Sequence, residues 1–207
     1  MKRGFFQNKN VFVDESKVGD RVGTAAHQAR AQEITDSTVT LVKDDTNALP
    51  LAKDASKVLV TGASVTTALA ERIGARGPAA TPLNTGTAPS DATIAGAVEA
   101  ANASDEVVVA TNKAWATPGQ QKLVEQLVAT GKPVVVVAVR DPYDIAYFTD
   151  APTYLATYST TAISMESLAK VLFGEAQPRG KLPVMIPTAA DPAVALYPFG
   201  HGLDSTS

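Results

Sequence analysis

The sequence predicts an α/β fold, a three-layer α/β/α sandwich around a mainly parallel sheet of five or six strands. Three observations lead there. Short runs rich in Val recur at residues 57–61, 106–111 and 133–139, the composition of strands buried on both faces. Segments of helical periodicity, roughly ten to fifteen residues each, separate the strands, as βαβ units require. The 207 residues hold one substantial domain and fall short of a (β/α)8 barrel, at about 250 residues, plus anything else.

Residues 1–23 differ in character from the rest. Met1-Lys2-Arg3-Gly4-Phe5-Phe6 opens with basic residues, but no long apolar run or small-residue cleavage site follows, so the segment reads as a linker and not as a secretory leader. Thr24 is placed to cap a helix over 25–35, with Ala25, Ala26, Ala29 and Ile34 facing inward. Residues 38–42 alternate as a strand does, and Asp44-Asp45-Thr46-Asn47 reads as a turn. The strand at 57–61 ends at Gly62 and leads to a helix over 65–73. The breakers Gly74, Gly77, Pro78, Pro82, Gly86 and Pro89 predict a surface loop whose regular elements are short.

The second half is more regular. Asp91 is read as the cap of a helix with Ile94, Val98 and Ala101 on one face, followed by the strand at 106–111. Thr117-Pro118-Gly119-Gln120 has the spacing of a reciprocal capping box, with Pro118 at the first helical position, where no N–H is needed. Leu123, Val124, Leu127 and Val128 form the apolar stripe, and Gly131 ends the helix. The strand at 133–139 is the most apolar, 143–148 makes a short helix, and 153–158 a further strand. Ser164 is read as the cap of a helix carrying Met165, Leu168, Val171 and Leu172 as far as Gly174.

Composition excludes several chemistries. With no Cys there is no disulfide framework, zinc–thiolate site, iron–sulfur cluster or thiol nucleophile. His27 and His201, the only two His, lie far apart, and neither has a Ser or carboxylate at a triad-like spacing, so both read as structural. No metal or other cofactor is expected. A balance of 18 Lys+Arg against 21 Asp+Glu argues against a phosphate-tracking surface, so nucleic acid is not an expected partner. The apolar runs stop far short of the roughly 18 residues of a membrane span.

In parallel sheets, ligands bind off the carboxyl ends of the strands. That places 61–64, 111–115, 140–144 and 158–161 along one rim. Val60-Thr61-Gly62-Ala63-Ser64 has one glycine where a dinucleotide-binding turn needs three, so it reads as a plain strand-to-helix turn. Asn112-Lys113-Ala114-Trp115 holds the only Trp. Its indole is placed either to stack on a sugar ring, with the amide and amine donating to hydroxyls, or to pack the loop onto the core. Arg140-Asp141-Pro142-Tyr143-Asp144 is suited either to orienting a polar ligand or, in the favoured reading, to capping the next helix with its two carboxylates while Arg140 neutralises them.

Three stretches together resemble a known family. They are residues 34–45 with Leu49-Pro50-Leu51, then Phe173-Gly174-Glu175 running on to Gly180-Lys181-Leu182-Pro183-Val184, then Leu196-Tyr197-Pro198-Phe199-Gly200-His201-Gly202-Leu203. In that order, at the end of an α/β chain, they resemble the C-terminal domain of glycoside hydrolase family 3, over about residues 24–203. The resemblance implies that 24–207 is that α/β-sandwich domain and that 1–23 is the connector following an N-terminal (β/α)8 barrel, its expected partner. Any export signal would then lie upstream, in a parent that is secreted or held at the cell envelope.

Residues 140–144 and 154–159 look most like the bacterial two-domain β-N-acetylglucosaminidase branch. Family members are retaining glycosidases, with a carboxylate nucleophile and a separate acid/base. The resemblance puts the nucleophilic Asp on the barrel. In the β-glucosidase branch it puts the acid/base Glu on the loop matching 111–115, which here reads Thr-Asn-Lys-Ala-Trp and has no carboxylate. In the N-acetylglucosaminidase branch a His/Asp dyad on the barrel transfers the proton. The implied function is therefore that of a non-catalytic domain of a parent that cleaves O-glycosyl bonds in cell-wall (peptidoglycan) or chitin-derived sugars. The domain supports the barrel and lines its pocket, with Asn112, Lys113, Trp115, Arg140 and Asp144 as candidate carbohydrate-facing residues. The alternative is an independent carbohydrate-binding module.

Overall fold

The structure is a computed structural model that describes residues 14–53 and 57–204. Residues 1–13 of the expected linker lie outside it, and Glu15–Lys17 and α1 (Val18–Arg21) form short helical turns. The elements that follow are α2 (Ala25–Asp36), β1 (Thr40–Asp44), β2 (Lys57–Gly62), α3 (Thr66–Gly74), β3 (Ala79–Asn84), α4 (Asp91–Asn102), β4 (Glu106–Thr111), α5 (Pro118–Val128), β5 (Val134–Ala138), β6 (Thr153–Ala156), α6 (Ala162–Leu172), and the short hairpin β7 (Ile186–Pro187) and β8 (Ala195–Tyr197).

Six strands form one sheet in the order β1-β6-β5-β4-β2-β3. Every pair is parallel except β1 with β6, which is antiparallel. The period of two in the Val-rich strands divides the core. Val58, Val60, Val108, Val135 and Val137 pack with Leu69 and Ile73 of α3 and Leu168 and Leu172 of α6. Leu59, Val107, Val109, Val134 and Val136 pack on the other face with Ile94 of α4 and Leu123 and Leu127 of α5. Each such side chain, removed from water, contributes roughly 1.5–3 kcal/mol. Helices on both faces of a mainly parallel sheet make the three-layer sandwich.

Four local expectations are corrected. The 74–89 segment contains β3, a full strand of six residues, and the sheet tolerates Pro82 because β3 is an edge with one neighbour. The cap of α4 is Ser90, whose side chain accepts from the Thr93 amide, while Asp91 is the first helical residue and pairs with Lys122 at 2.8 Å. The cap position of α6 is Thr161; Ser164 lies buried in the first turn, its hydroxyl 2.9 Å from that of Thr161. Helix α2 is capped by Thr24 as expected but buries no residue, and Ile34 is 53% exposed. It is held by polar contacts instead, Gln32 and Asp36 meeting Ser167 at 2.8 and 2.6 Å and Asp36 meeting Lys170 at 2.7 Å.

Candidate functional site

The carboxyl ends of β2, β4, β5 and β6 bring together the segments expected along one rim. Backbone strain collects there. Val65 (φ 56), Lys113 (φ 57) and Tyr158 (φ 59), following β2, β4 and β6, are left-handed without being glycine, and for a β-branched residue such as Val65 that is an outlier. So do orphaned polar atoms. Ser64, Thr85, Thr111 and Asp144, which follow or end β2, β3, β4 and β5, each have a buried side-chain oxygen with no hydrogen bond among the described residues. Strain and unpartnered polar groups are found where a fold is shaped for a ligand or partner.

Gly62 illustrates the structural reading of its turn. At φ +116, a Cβ on it would lie 2.1 Å from the carbonyl oxygen of Ala110 on β4. Glycine is needed for strand approach, with Ala63 N–H donating to that carbonyl at 2.9 Å.

The loop after β4 is held by Gln120. Its carbonyl accepts from Asn112 N–H at 2.9 Å, and its amide donates to the carbonyls of Asn112 and Thr87, both at 2.9 Å. The expected capping box is absent: Thr117 occupies the cap position without capping the helix, its hydroxyl donating to the Lys113 carbonyl at 3.1 Å. Gln120 is 1% exposed because its amide is turned into the loop instead of back along the helix.

Trp115 is gripped from the neighbouring strand's loop. Its backbone N–H donates to Asp144 Oδ1 at 3.0 Å and its indole N–H to Asp141 Oδ2 at 3.2 Å. The expectation that Asp141 and Asp144 cap the following helix is therefore corrected. Asp141 stands at the start of the 3₁₀ turn Pro142–Tyr147 without a side-chain cap bond, and Arg140 lies 3.9 Å from it in an exposed pairing. Asp144 is fully buried, which pushes its carboxyl above the usual range against the pull of the nearby Thr111 hydroxyl and the Trp115 and Ala114 amides. Thr111 does not meet hydrogen-bond geometry, so Asp144 Oδ2 remains unpartnered. Below them, the buried Tyr154 hydroxyl donates to the Pro142 carbonyl at 3.1 Å and steadies the turn.

Of the candidate residues, Trp115 and Arg140 are exposed, Asn112 and Lys113 half-buried, and Asp144 lies beneath the rim, facing Trp115. A cavity of about 260 Å³ opens beside Trp115, lined also by Tyr143, Ala146, Tyr147, Pro187, Thr188 and Ala189. Sequence reasoning missed this wall. Tyr143 and Tyr147 carried a usable signal, an i,i+4 aromatic pair just after a strand end, whereas the turn at 187–189 comes from a remote hairpin. Among the described residues, no three His, Asp or Glu side chains gather where a metal would bind. His27 lies exposed on α2, and His201 sits with its Nε2 2.8 Å from the Val42 carbonyl and its ring against Tyr197.

The two terminal motifs lock the sheet edge. Gly180 N–H donates to Val39, Leu182 N–H to His201, and Leu203 N–H to Leu41 at 2.7 Å. A Cβ on Gly180 would lie 2.3 Å from the Thr38 carbonyl, and one on Gly202 2.5 Å from that of Gly180. Packing explains these glycines.

The profile of the glycosyl hydrolase family 3 C-terminal domain matches residues 39–205. The chain belongs to this family. Among curated relatives, a β-xylosidase of Formosa agariphila is 33% identical over 106 residues, covering 44% of this chain and 15% of that protein. A lysosomal β-glucosidase of Dictyostelium discoideum is 32% identical over 142 residues, 54% of this chain and 17% of that protein. The chain thus spans about a sixth of the length of these relatives. Among solved structures, a β-glucosidase from Erythrobacter marinus superposes with TM-score 0.80 at 22% identity, covering 99% of this chain and 38% of that one. A family 3 β-N-acetylglucosaminidase from Paenibacillus sp. gives 0.72 at 24% identity, 84% of this chain and 34% of that one. These likenesses establish the family 3 C-terminal fold. Among the described residues, no helix is long and apolar enough to cross a membrane.

Proposed function

We propose that this domain is the non-catalytic half of a retaining β-N-acetylglucosaminidase, with an N-terminal barrel as its partner and residues 1–23 as the connector between them. It braces the barrel and presents the 111–115 rim to the barrel's sugar pocket. The observation that carries this reading is the loop after β4. It has no carboxylate of its own, and the two that reach it, Asp141 and Asp144, are committed to the N–H groups of Trp115. A general acid must instead reach the glycosidic oxygen. Asn112, Lys113, Trp115 and Arg140 form the face offered to the pocket, and Asp144 acts through Trp115. The test is to incubate the 207-residue chain with an aryl N-acetylglucosaminide. No turnover above buffer is expected, and measurable turnover by the chain alone overturns the proposal.

A second reading has its own support. The curated relatives are a β-xylosidase and a β-glucosidase, so the parent of this domain would act on neutral xylosides or glucosides. Assaying the full-length polypeptide against aryl glycosides of the three sugars separates the readings by which substrate gives the highest kcat/KM.

A further inference from the structure

Two of the orphaned oxygens at the rim sit together. Asp144 is 0% exposed and Thr111 1%, and neither Asp144 Oδ2 nor Thr111 Oγ1 has a hydrogen-bond partner among the described residues. The Thr111 hydroxyl, at the end of β4, is nevertheless close enough to the carboxyl to act on it. Oδ1 of the same carboxyl accepts from the Trp115 N–H at 3.0 Å and so ties the loop after β4 to the turn after β5. A buried carboxyl that joins two loops through one oxygen and leaves the other idle beside a hydroxyl is half of a hydrogen-bond arrangement.

A proton completes it. Ionised, Asp144 only accepts, and no cation offsets its charge: among the described residues neither Lys113 nor Arg140 pairs with it, and Arg140 lies 3.9 Å from Asp141 instead. Asp141, on the same turn, adds a second negative charge, while burial keeps the Tyr154 hydroxyl of β6 neutral. Tyr143 and Tyr147 of the turn line the cleft beside Trp115. Helix α5 offers the loop only the neutral Gln120 and Gln121, and β7, packed on the turn, brings Ile186 and Pro187. Protonated, Oδ2–H donates to Thr111 Oγ1 while Oδ1 still accepts from Trp115, so both idle oxygens are used and the buried charge is gone.

The loop is built to respond. It turns on Lys113, strained at φ 57, and leaves the Trp115 ring 38% exposed. Lifting it removes the Trp115 N–H and lets water reach Asp144, which then regains ordinary carboxylate behaviour. Burial makes the closed loop hold the proton more tightly than the open one, so proton uptake favours closure and proton loss favours opening.

We propose that Asp144 and Thr111 form a proton-operated latch on the rim loop, shut when Asp144 Oδ2–H donates to Thr111 Oγ1 and eased when that proton leaves. Asp144 is a positioning residue that sets, through Trp115, how firmly residues 112–115 are held. The latch is a property of this chain and does not depend on which sugar the parent cleaves.

Hydrogen exchange of the Trp115 backbone amide, followed by NMR on the 207-residue chain and corrected for the intrinsic rate, reads the latch directly. One pH unit between the closed-loop and open-loop pKa values of the carboxyl is worth about tenfold in the opening equilibrium. The protection factor should therefore fall about three- to tenfold as pH rises from about 4.5 to about 8. In Asp144→Asn the side-chain amide donates to Thr111 and the carbonyl accepts from Trp115 at every pH, so protection should stay constant. Asp141→Asn, which keeps an acceptor for the indole, should retain the pH dependence. Circular dichroism confirms that both variants are folded. A flat profile in the natural chain overturns the latch, as does protection that rises with pH, a pH dependence that persists in folded Asp144→Asn, or its loss in folded Asp141→Asn. Should Asp144→Asn not fold, the profiles of the natural chain and Asp141→Asn decide.

Discussion

Replacing Gln120 by Glu tests how the rim loop is built. A capping box accepts Glu as readily as Gln, so a residue working only as a helix cap would tolerate the change. In the structure Gln120 works as a staple instead, with one acceptor and two donors, each in a 2.9 Å bond, tying Asn112 and Thr87 to α5. Glu keeps the acceptor, removes both donors and sets a carboxylate oxygen against two backbone carbonyls at a site 1% exposed. At about 1–1.5 kcal/mol for each lost bond, plus the cost of leaving the carbonyls unpaired, the loss is about 3–5 kcal/mol. For a domain of this size that corresponds to a fall in Tm of roughly 6–15 °C. Urea and thermal unfolding, followed at 222 nm and by Trp115 emission, measure it. A loss below about 1 kcal/mol would refute the staple and restore the capping box.

Two further perturbations probe other parts of the fold and the rim. Ile34→Ser should change stability by no more than about 0.5 kcal/mol in urea melts, because α2 is attached through Gln32 and Asp36 and not through this exposed side chain; a loss of about 2 kcal/mol or more would put Ile34 in the core. Asp144→Asn should flatten the acid side of the stability profile. Burial raises this carboxyl above its ordinary value of 3.8 in the folded chain, so the folded state holds the proton more tightly than the unfolded one. That contribution is full below 3.8 and is lost as pH rises through the folded pKa, so the Asn variant should gain on the natural chain between acid and neutral pH, and a relative loss would contradict the assignment.

The legible parts of the fold were those governed by strong, local physics. β2, β4 and β5 are buried on both faces and so are written as runs of Val, and the helices between them follow from their stripes. β3 was hidden because an edge strand has one partner and can carry Pro82. The caps of α4 and α6 were misplaced because Ser90 and Asp91, like Thr161 and Ser164, are all able to cap, and only backbone geometry chooses between them. The rim was legible from topology, since parallel strands present their carboxyl ends together. Its construction was not: the bonds from Asp141 and Asp144 to Trp115 cross between loops, and the wall formed by Tyr143, Tyr147 and Pro187 joins segments far apart in the chain.

The central claim is that this domain contributes no catalytic group. Asp141 tests it most directly, because it is the half-buried carboxylate beside the 111–115 loop, to which the family resemblance assigns the acid/base of the β-glucosidase branch, and Asn in its place can still accept from the Trp115 indole. In the full-length polypeptide, kcat for an aryl N-acetylglucosaminide should stay within about threefold on Asp141→Asn, whereas removing a general acid/base costs about 10²–10⁴-fold. A loss of that size, in a folded variant, would contradict the account.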